Sequence, residues 1–256
     1  DTLDIAKCLF EEVQQVGSAV TSFVLENLTA RPMRKMPNEV LESMSRSHVG
    51  IMCVKSQVGE SKVRGDLIKV VEQAGVRYAH MIGITEEIMV QSMRADFEKV
   101  YALGDRLLAV ARSAHKAYVK TELGTDLVVT LNPKLRWQNT GGKITPEVWS
   151  NLPAGEIFTC PESVEGVMVV DGTVGDYFCW KYGCVENTPL RLELAQGYLQ
   201  SATCANAELE REFLEYCNSA PNSDRVGEFA LGTNLWVEGI IGNLLQDEKM
   251  PGVHIA

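Results

Sequence analysis

The sequence predicts an α/β domain built on a mainly parallel sheet, followed by a mostly β domain of α+β character. Three observations predict it. Over residues 1–117, stretches with apolar residues at three-four spacing alternate with short apolar runs, the pattern of helices laid on a parallel sheet. After about Tyr118, glycine and proline become frequent and short β-forming runs take over. The chain has 256 residues, enough for one or two domains at about 150 residues each. The boundary is placed near residue 120, giving domains of 1–120 and 121–256.

The first helix is expected over residues 3–16, where Ala6, Leu9, Phe10, Val13 and Val16 share a face and Gly17 supplies the stop. A strand over 18–25 follows. Residues 48–54, HVGIMCV, are apolar almost throughout, as in a strand covered on both faces. The next helix spans 61–74, with Val63, Leu67, Ile68 and Val71 aligned and Gly75 ending it; a strand over 76–84 comes after. A long helix over 95–117 carries Phe97, Val100, Leu103, Leu107, Val110 and Ala114. Gly104 interrupts it, at a cost of about 1 kcal/mol relative to alanine. In the second domain, strands are expected over 126–131, 156–160, 166–170 and 190–195, with a helix over 206–217 and a short one around 237–245. Residues 139–142, Asn-Thr-Gly-Gly, read as a flexible turn. The chain opens on a helix and stops on a strand, so it is expected to lack its first strand and to be truncated at its C-terminal end.

Composition narrows the function classes. Hydrophobic residues make up 45% and charged residues 23%, a globular balance that excludes disorder. With 24 Lys plus Arg against 34 Asp plus Glu, the formal charge is −10, and no basic cluster offers itself to nucleic acid or an anionic membrane. No apolar run approaches the roughly 20 residues of a membrane span. The seven cysteines are odd in number and scattered without a CxxC pair, which reads as reduced thiols in a cytoplasm. Cys179 and Cys184 lack the second pair a structural zinc site needs. GxGxxG, GxxxxGKS, HExxH and GxSxG are all absent. His48, His80 and His115 read as structural. The partner expected is a peptide or a small molecule, not nucleic acid and not a membrane.

Three segments of the second domain stand out. NLPAGEIF (151–158) places Glu156 at a strand start after a Pro/Gly turn. RVGEFALGTN (225–234) puts Glu228 in an apolar strand, and DEK (247–249) precedes GVHIA (252–256), where His254 interrupts another. A carboxylate or imidazole among β-formers is costly to bury unless paired or metal-bound. Two carboxylates and a histidine on neighbouring strands suit a divalent metal. From the residues alone, a partly exposed glutamate on a sheet face remains the other reading.

In order, Thr125-Asp126-Leu127 after Gly124, the NLPAGE turn, the VGEFALGTN strand and the DEK…GVHIA stretch resemble the aminopeptidase T family of metallopeptidases, from about Glu122 to the end. The resemblance implies Glu156, Glu228 and His254 as ligands of two zinc or cobalt ions, with Glu228 and Glu156 as the catalytic carboxylates. It implies further ligands downstream of Ala256 and a homodimer. The expected activity is release of N-terminal residues from peptides by water activated between two metals, with Asp247 and Glu248 supporting His254. Relatives of the 2,5-dihydroxypyridine 5,6-dioxygenase type use a single non-haem iron to open a ring, which is the alternative. A metal-free relative that only binds peptides or a partner is the third. The four tryptophans, Trp137, Trp149, Trp180 and Trp236, read as core and rim packing of the second domain.

Overall fold

Residue 75 turns the chain from helix to strand. Gly75 takes the left-handed conformation there (φ 65°, ψ 42°), stopping α3 (Ser61–Ala74) and letting β2 (Arg77–Ile82) begin. The structure, a computed structural model, describes residues 1–256 except the side chain of Ser61. It divides into two compact units, Asp1–Arg94 with Gly142–Pro153, and Ala95–Gly141 with Ala154–Ala256.

The first unit holds a parallel sheet. β1 (Val49–Val54) pairs with β2 from Val49↔Arg77 to Val54↔Ile82, and the two-residue β6 (Ser150–Asn151) adds to β2. Around it lie α1 (Thr2–Gln15), α2 (Asn38–Ser45) and α4 (Glu86–Val90). Met33, Met36, Val40, Met52, Val54, Val63, Leu67, Val71 and Tyr78 form its core. Two expectations fail here. Residues 18–25 form no strand; only a single 3-10 turn, Leu25–Asn27, closes that stretch. β-forming side chains realise their preference only against a paired neighbour. And β1 is covered on one face: Gly50, Met52 and Val54 are buried, whereas Val49 and Ile51 are 51% and 41% exposed.

In the second unit, α5 (Phe97–Ala111) is capped by Asp96, whose carboxylate accepts from the Lys99 amide at 3.2 Å. It stops at 111 rather than 117. After a turn, β3 (Lys116–Lys120) pairs antiparallel with β4 (Asp126–Thr130), because alternation over 116–120 outcompetes the helical period there. Since α5 and β3 belong to the second unit, the division falls after Arg94, not near 120. Residues 142–153 return to the first unit and take Trp149 with them, against the sequence expectation.

Two antiparallel sheets make up the rest of this unit. One runs β10 (Tyr198–Thr203), β9 (Leu190–Ala195), β8 (Ser163–Val170), β4, β3. The other runs β12 (Gly252–Ile255), β11 (Phe229–Gly232), β7 (Glu156–Thr159), β5 (Gln138–Asn139). Leu127, Val129, Val164 and Leu194 from the first meet Ile157 and Phe229 from the second in one cluster with Leu108 and Trp137. α6 (Gly175–Tyr182) and α7 (Ala207–Cys217) cover a second cluster around Phe178, Leu190 and Leu209. The short helix foreseen around 237–245 lies later, as α8 (Leu244–Asp247). No helix among the described residues is long and apolar enough to cross a membrane, and all seven cysteines are free thiols.

Candidate metal centre

The centre is built on β11, which has β12 on one side and β7 on the other. Its register places Ala230 opposite His254 on β12 and Gly232 opposite Glu156 on β7. Directly opposed residues share a sheet face, and alternation puts Glu228, Ala230 and Gly232 on that face together. The other face carries Ile157, Phe229, Leu231, Val253 and Ile255 into the apolar cluster. Because the central strand offers only a methyl group and a hydrogen between its neighbours, nothing on it separates His254 from Glu156. Glu228 lies one residue before β11 and is fixed by its amide, which donates to the Ala256 carbonyl at 2.8 Å.

Ligand-capable atoms of Glu156, Glu228 and His254 all lie within 4.8 Å of one another. His254 Nε2 stands 3.2 Å from Glu156 Oε2 and 3.5 Å from Glu228 Oε1. Despite that approach, Glu156 Oε2 and His254 Nε2 are buried and make no aligned hydrogen bond. Two buried polar atoms facing each other across such a gap without a hydrogen bond are what a cation would satisfy once His254 gives up its proton. Glu156 Oε1 is served differently, by the Lys249 ammonium at 2.7 Å and the Thr140 hydroxyl at 3.2 Å. Lys249 is 1% exposed and also donates to Glu248. Glu156, Glu228 and Glu248 against Lys249 leave a surplus of negative charge suited to a divalent ion when His254 is neutral. Carboxylates with one imidazole are a donor set for zinc or its neighbours, so the residues fit a metal.

Electrostatics follow from this crowding. Burial alone would raise the Glu156 carboxyl, but the close His254 imidazole and the Lys249 ammonium outweigh it and hold it to about 2. Burial would lower His254, yet its carboxylate neighbours push it up to about 9. Burial raises Glu248, and Lys249 stays raised because Glu156 and Glu248 offset its own desolvation.

Sequence reasoning singled out the three clustered residues but passed over Lys249 and Thr140. A lysine in a charged DEK run looks solvated. The turn expected to be flexible at 139–142 is tied down: Asn139 donates to the Tyr101 carbonyl and to Asp105, both at 3.0 Å, and the Thr140 amide donates to the Glu156 carbonyl at 2.9 Å. Asp247 accepts from the Ile241 and Asn243 amides, holding the turn before the site, and Glu248 reaches the cluster through Lys249. Cys179 is pushed by burial to about 11, a poor thiolate ligand. His80 is buried in the first unit, 2.9 Å from the Tyr78 hydroxyl, and burial lowers it to about 4.

No functionally curated protein matches the chain in sequence. Among solved structures it is similar to AmpT of Thermus thermophilus, with a TM-score of 0.67 and 18% identity over 99% of this chain and 77% of that one. It is also similar to the 2,5-dihydroxypyridine dioxygenase of Pseudomonas putida KT2440, with a TM-score of 0.54 and 18% identity over 76% of this chain. The match spans about half of that enzyme, 53%. At such identities these likenesses show the fold. The family model for thermophilic metalloprotease (M29) matches residues 89–256, well over half of the chain, and includes every residue of the cluster. The chain belongs to the thermophilic metalloprotease family.

Proposed function

We propose that the chain is an aminopeptidase-like hydrolase that removes N-terminal residues from peptides by water activated between two zinc or cobalt ions. The single observation that carries this reading is the meeting of Glu156, Glu228 and His254 with two of their buried polar atoms unpartnered. Glu156 Oε2, His254 Nε2 and Glu228 Oε1 would hold metal. When bound, a divalent metal lowers the pKa of water and polarises a scissile carbonyl. Glu228, the most exposed of the three at 31%, is the carboxylate able to take a proton from water and hand it to the leaving amine nitrogen. Glu156, held ionised and buried, keeps the site's charge fixed rather than moving protons.

The free thiols support a cytoplasmic setting, and the family resemblance supports a homodimer; sedimentation of the purified protein tests the latter. Metal content per chain after purification without chelator tests the central reading. Close to two zinc or cobalt ions, with release of N-terminal residues from unblocked peptides, is the expected result. One iron with oxygen uptake on a dihydroxylated ring would replace it with the dioxygenase reading. No metal after supplementation would leave only a binding protein.

A further inference from the structure

We propose that Lys249 is a positioning residue of this centre: by occupying Oε1 of Glu156 it leaves that carboxylate a single oxygen, Oε2, for a metal. The inference rests on the metal-site reading above and adds the rule by which Glu156 binds.

A carboxylate oxygen has two lone pairs. On Oε1 one is taken by Lys249 Nζ at 2.7 Å, and the other is approached at 3.2 Å by the Thr140 hydroxyl, whose proton is shared with the Glu156 carbonyl at 3.3 Å. Oε2 makes no aligned hydrogen bond and faces His254 Nε2 at 3.2 Å, the position a metal would contest. The ammonium is not free to swing aside. Its side chain is 1% exposed and also donates to Glu248. Its backbone is held at both ends, the amide donating to the Gln246 carbonyl at 2.8 Å and the carbonyl accepting from the Asn234 amide at 2.9 Å. Gly232 makes this approach possible, since a Cβ there would collide with the Met250 carbonyl.

Two consequences follow. Glu156 binds through one atom rather than chelating, which keeps a coordination position open for water or substrate. The ammonium also lies close enough to repel a bound cation, so affinity is held down.

The test begins with a crystal structure of the wild-type protein loaded with cadmium. The expected result is an ion on Oε2 with Oε1 still on Lys249. An ion chelated by both oxygens overturns this inference alone. Absence of any ion from the cluster overturns the metal-site reading and this inference with it. Cobalt titration of Lys249→Met, a near-isosteric loss of charge, provides a second arm. The variant is expected to bind cobalt about tenfold tighter or more. Its visible absorption is expected to weaken as Glu156 chelates and the coordination number rises. Unchanged or weaker binding, with an unchanged spectrum, counts against the inference. Should Lys249→Met fail to fold, the cadmium structure decides.

Discussion

Each unit buries one glutamate whose carboxyl is held at about 2, and the two are held there differently. Glu60 in the first unit is lowered chiefly by Arg31. Its oxygens take Arg31 Nε at 2.6 Å and the Met33 amide at 2.7 Å on one side, Arg31 Nη2 at 2.7 Å and the Gln57 amide at 2.9 Å on the other. All four lone-pair sites are filled. Glu156 in the second unit has two donors on one oxygen and, on the other, only the His254 ring nitrogen at 3.2 Å without an aligned hydrogen bond. A depressed carboxyl therefore marks burial beside positive charge, whatever its purpose. It is the unfilled oxygen, not the acidity, that separates a binding site from a staple.

That distinction predicts opposite responses to the same chemical change. Glu228→Gln in the second unit should lower peptide hydrolysis by about 10²–10⁴-fold, the usual worth of a proton-transfer group, with little change in Tm. Equal activity in the variant would remove Glu228 from catalysis. Glu60→Gln puts an amide NH2 where donors already point and strands Arg31. It should cost about 3–5 kcal/mol in chemical denaturation and leave metal affinity untouched. Glu156→Gln should do the reverse, ending metal binding while costing less stability, since the amide carbonyl can still accept from Lys249. If both glutamine variants lose stability equally and neither loses metal, the contrast between the two glutamates is wrong.

Acidity sharpens the comparison further. In chelator, both lowered carboxyls contribute stability that is present above their ordinary value of 4.5 and lost as pH falls toward 2. Between pH 6.5 and 9 the second unit adds a limb of its own. His254 is raised from 6.5 to about 9, so its contribution is full below 6.5 and disappears as pH rises through 9. A Tm profile of the chelated protein should show both limbs, and His254→Gln should abolish the limb between 6.5 and 9 and shrink the acid one to what Arg31 holds at Glu60 and Lys249 holds at Glu156. Metal must displace the His254 proton, so binding should tighten as pH rises toward 9, with proton release measurable by calorimetry in buffers of different ionisation heat. Saturating metal at about 100 times its Kd should add about 2.7 kcal/mol.

Legibility in the sequence followed the same division between local and non-local causes. The helix Ser61–Ala74 was readable to the residue because its apolar period and its terminal glycine are both local. The end of α5 was not, because Lys116–Lys120 chooses strand only through pairing with β4, which the helical period of 95–117 conceals. Likewise the return of residues 142–153 to the first unit depends on Asn151 finding His80 on β2, a partner 71 positions away in a register no composition reveals. At the centre, Glu156, Glu228 and His254 announced themselves as polar residues in β-forming runs. Lys249 did not, since its burial arises from Gly232 and Glu156, on strands it does not belong to.

The smallest effect tests whether the tied segment beside Glu156 is as rigid as its hydrogen bonds imply. Gly104 lies inside α5, where alanine should gain about 1 kcal/mol of helix propensity. A Cβ there would sit 2.5 Å from the Asn139 side-chain oxygen and 2.7 Å from its nitrogen. That amide cannot retreat without losing its bonds to the Tyr101 carbonyl and Asp105. Overpacking of this kind costs about 1–3 kcal/mol, so Gly104→Ala should be neutral to destabilising, by up to about 2 kcal/mol. Gly141→Ala meets the Tyr101 backbone at 2.6 Å with no helical gain, and should cost more than Gly104→Ala by about the propensity difference. Both changes press on the residues flanking Thr140, so metal affinity should shift only a few-fold, because Lys249 still holds Oε1. A clear rise in Tm for Gly104→Ala would mean that Asn139 yields. Thr140 would then be a loose donor, and Lys249 alone would account for the asymmetry of Glu156.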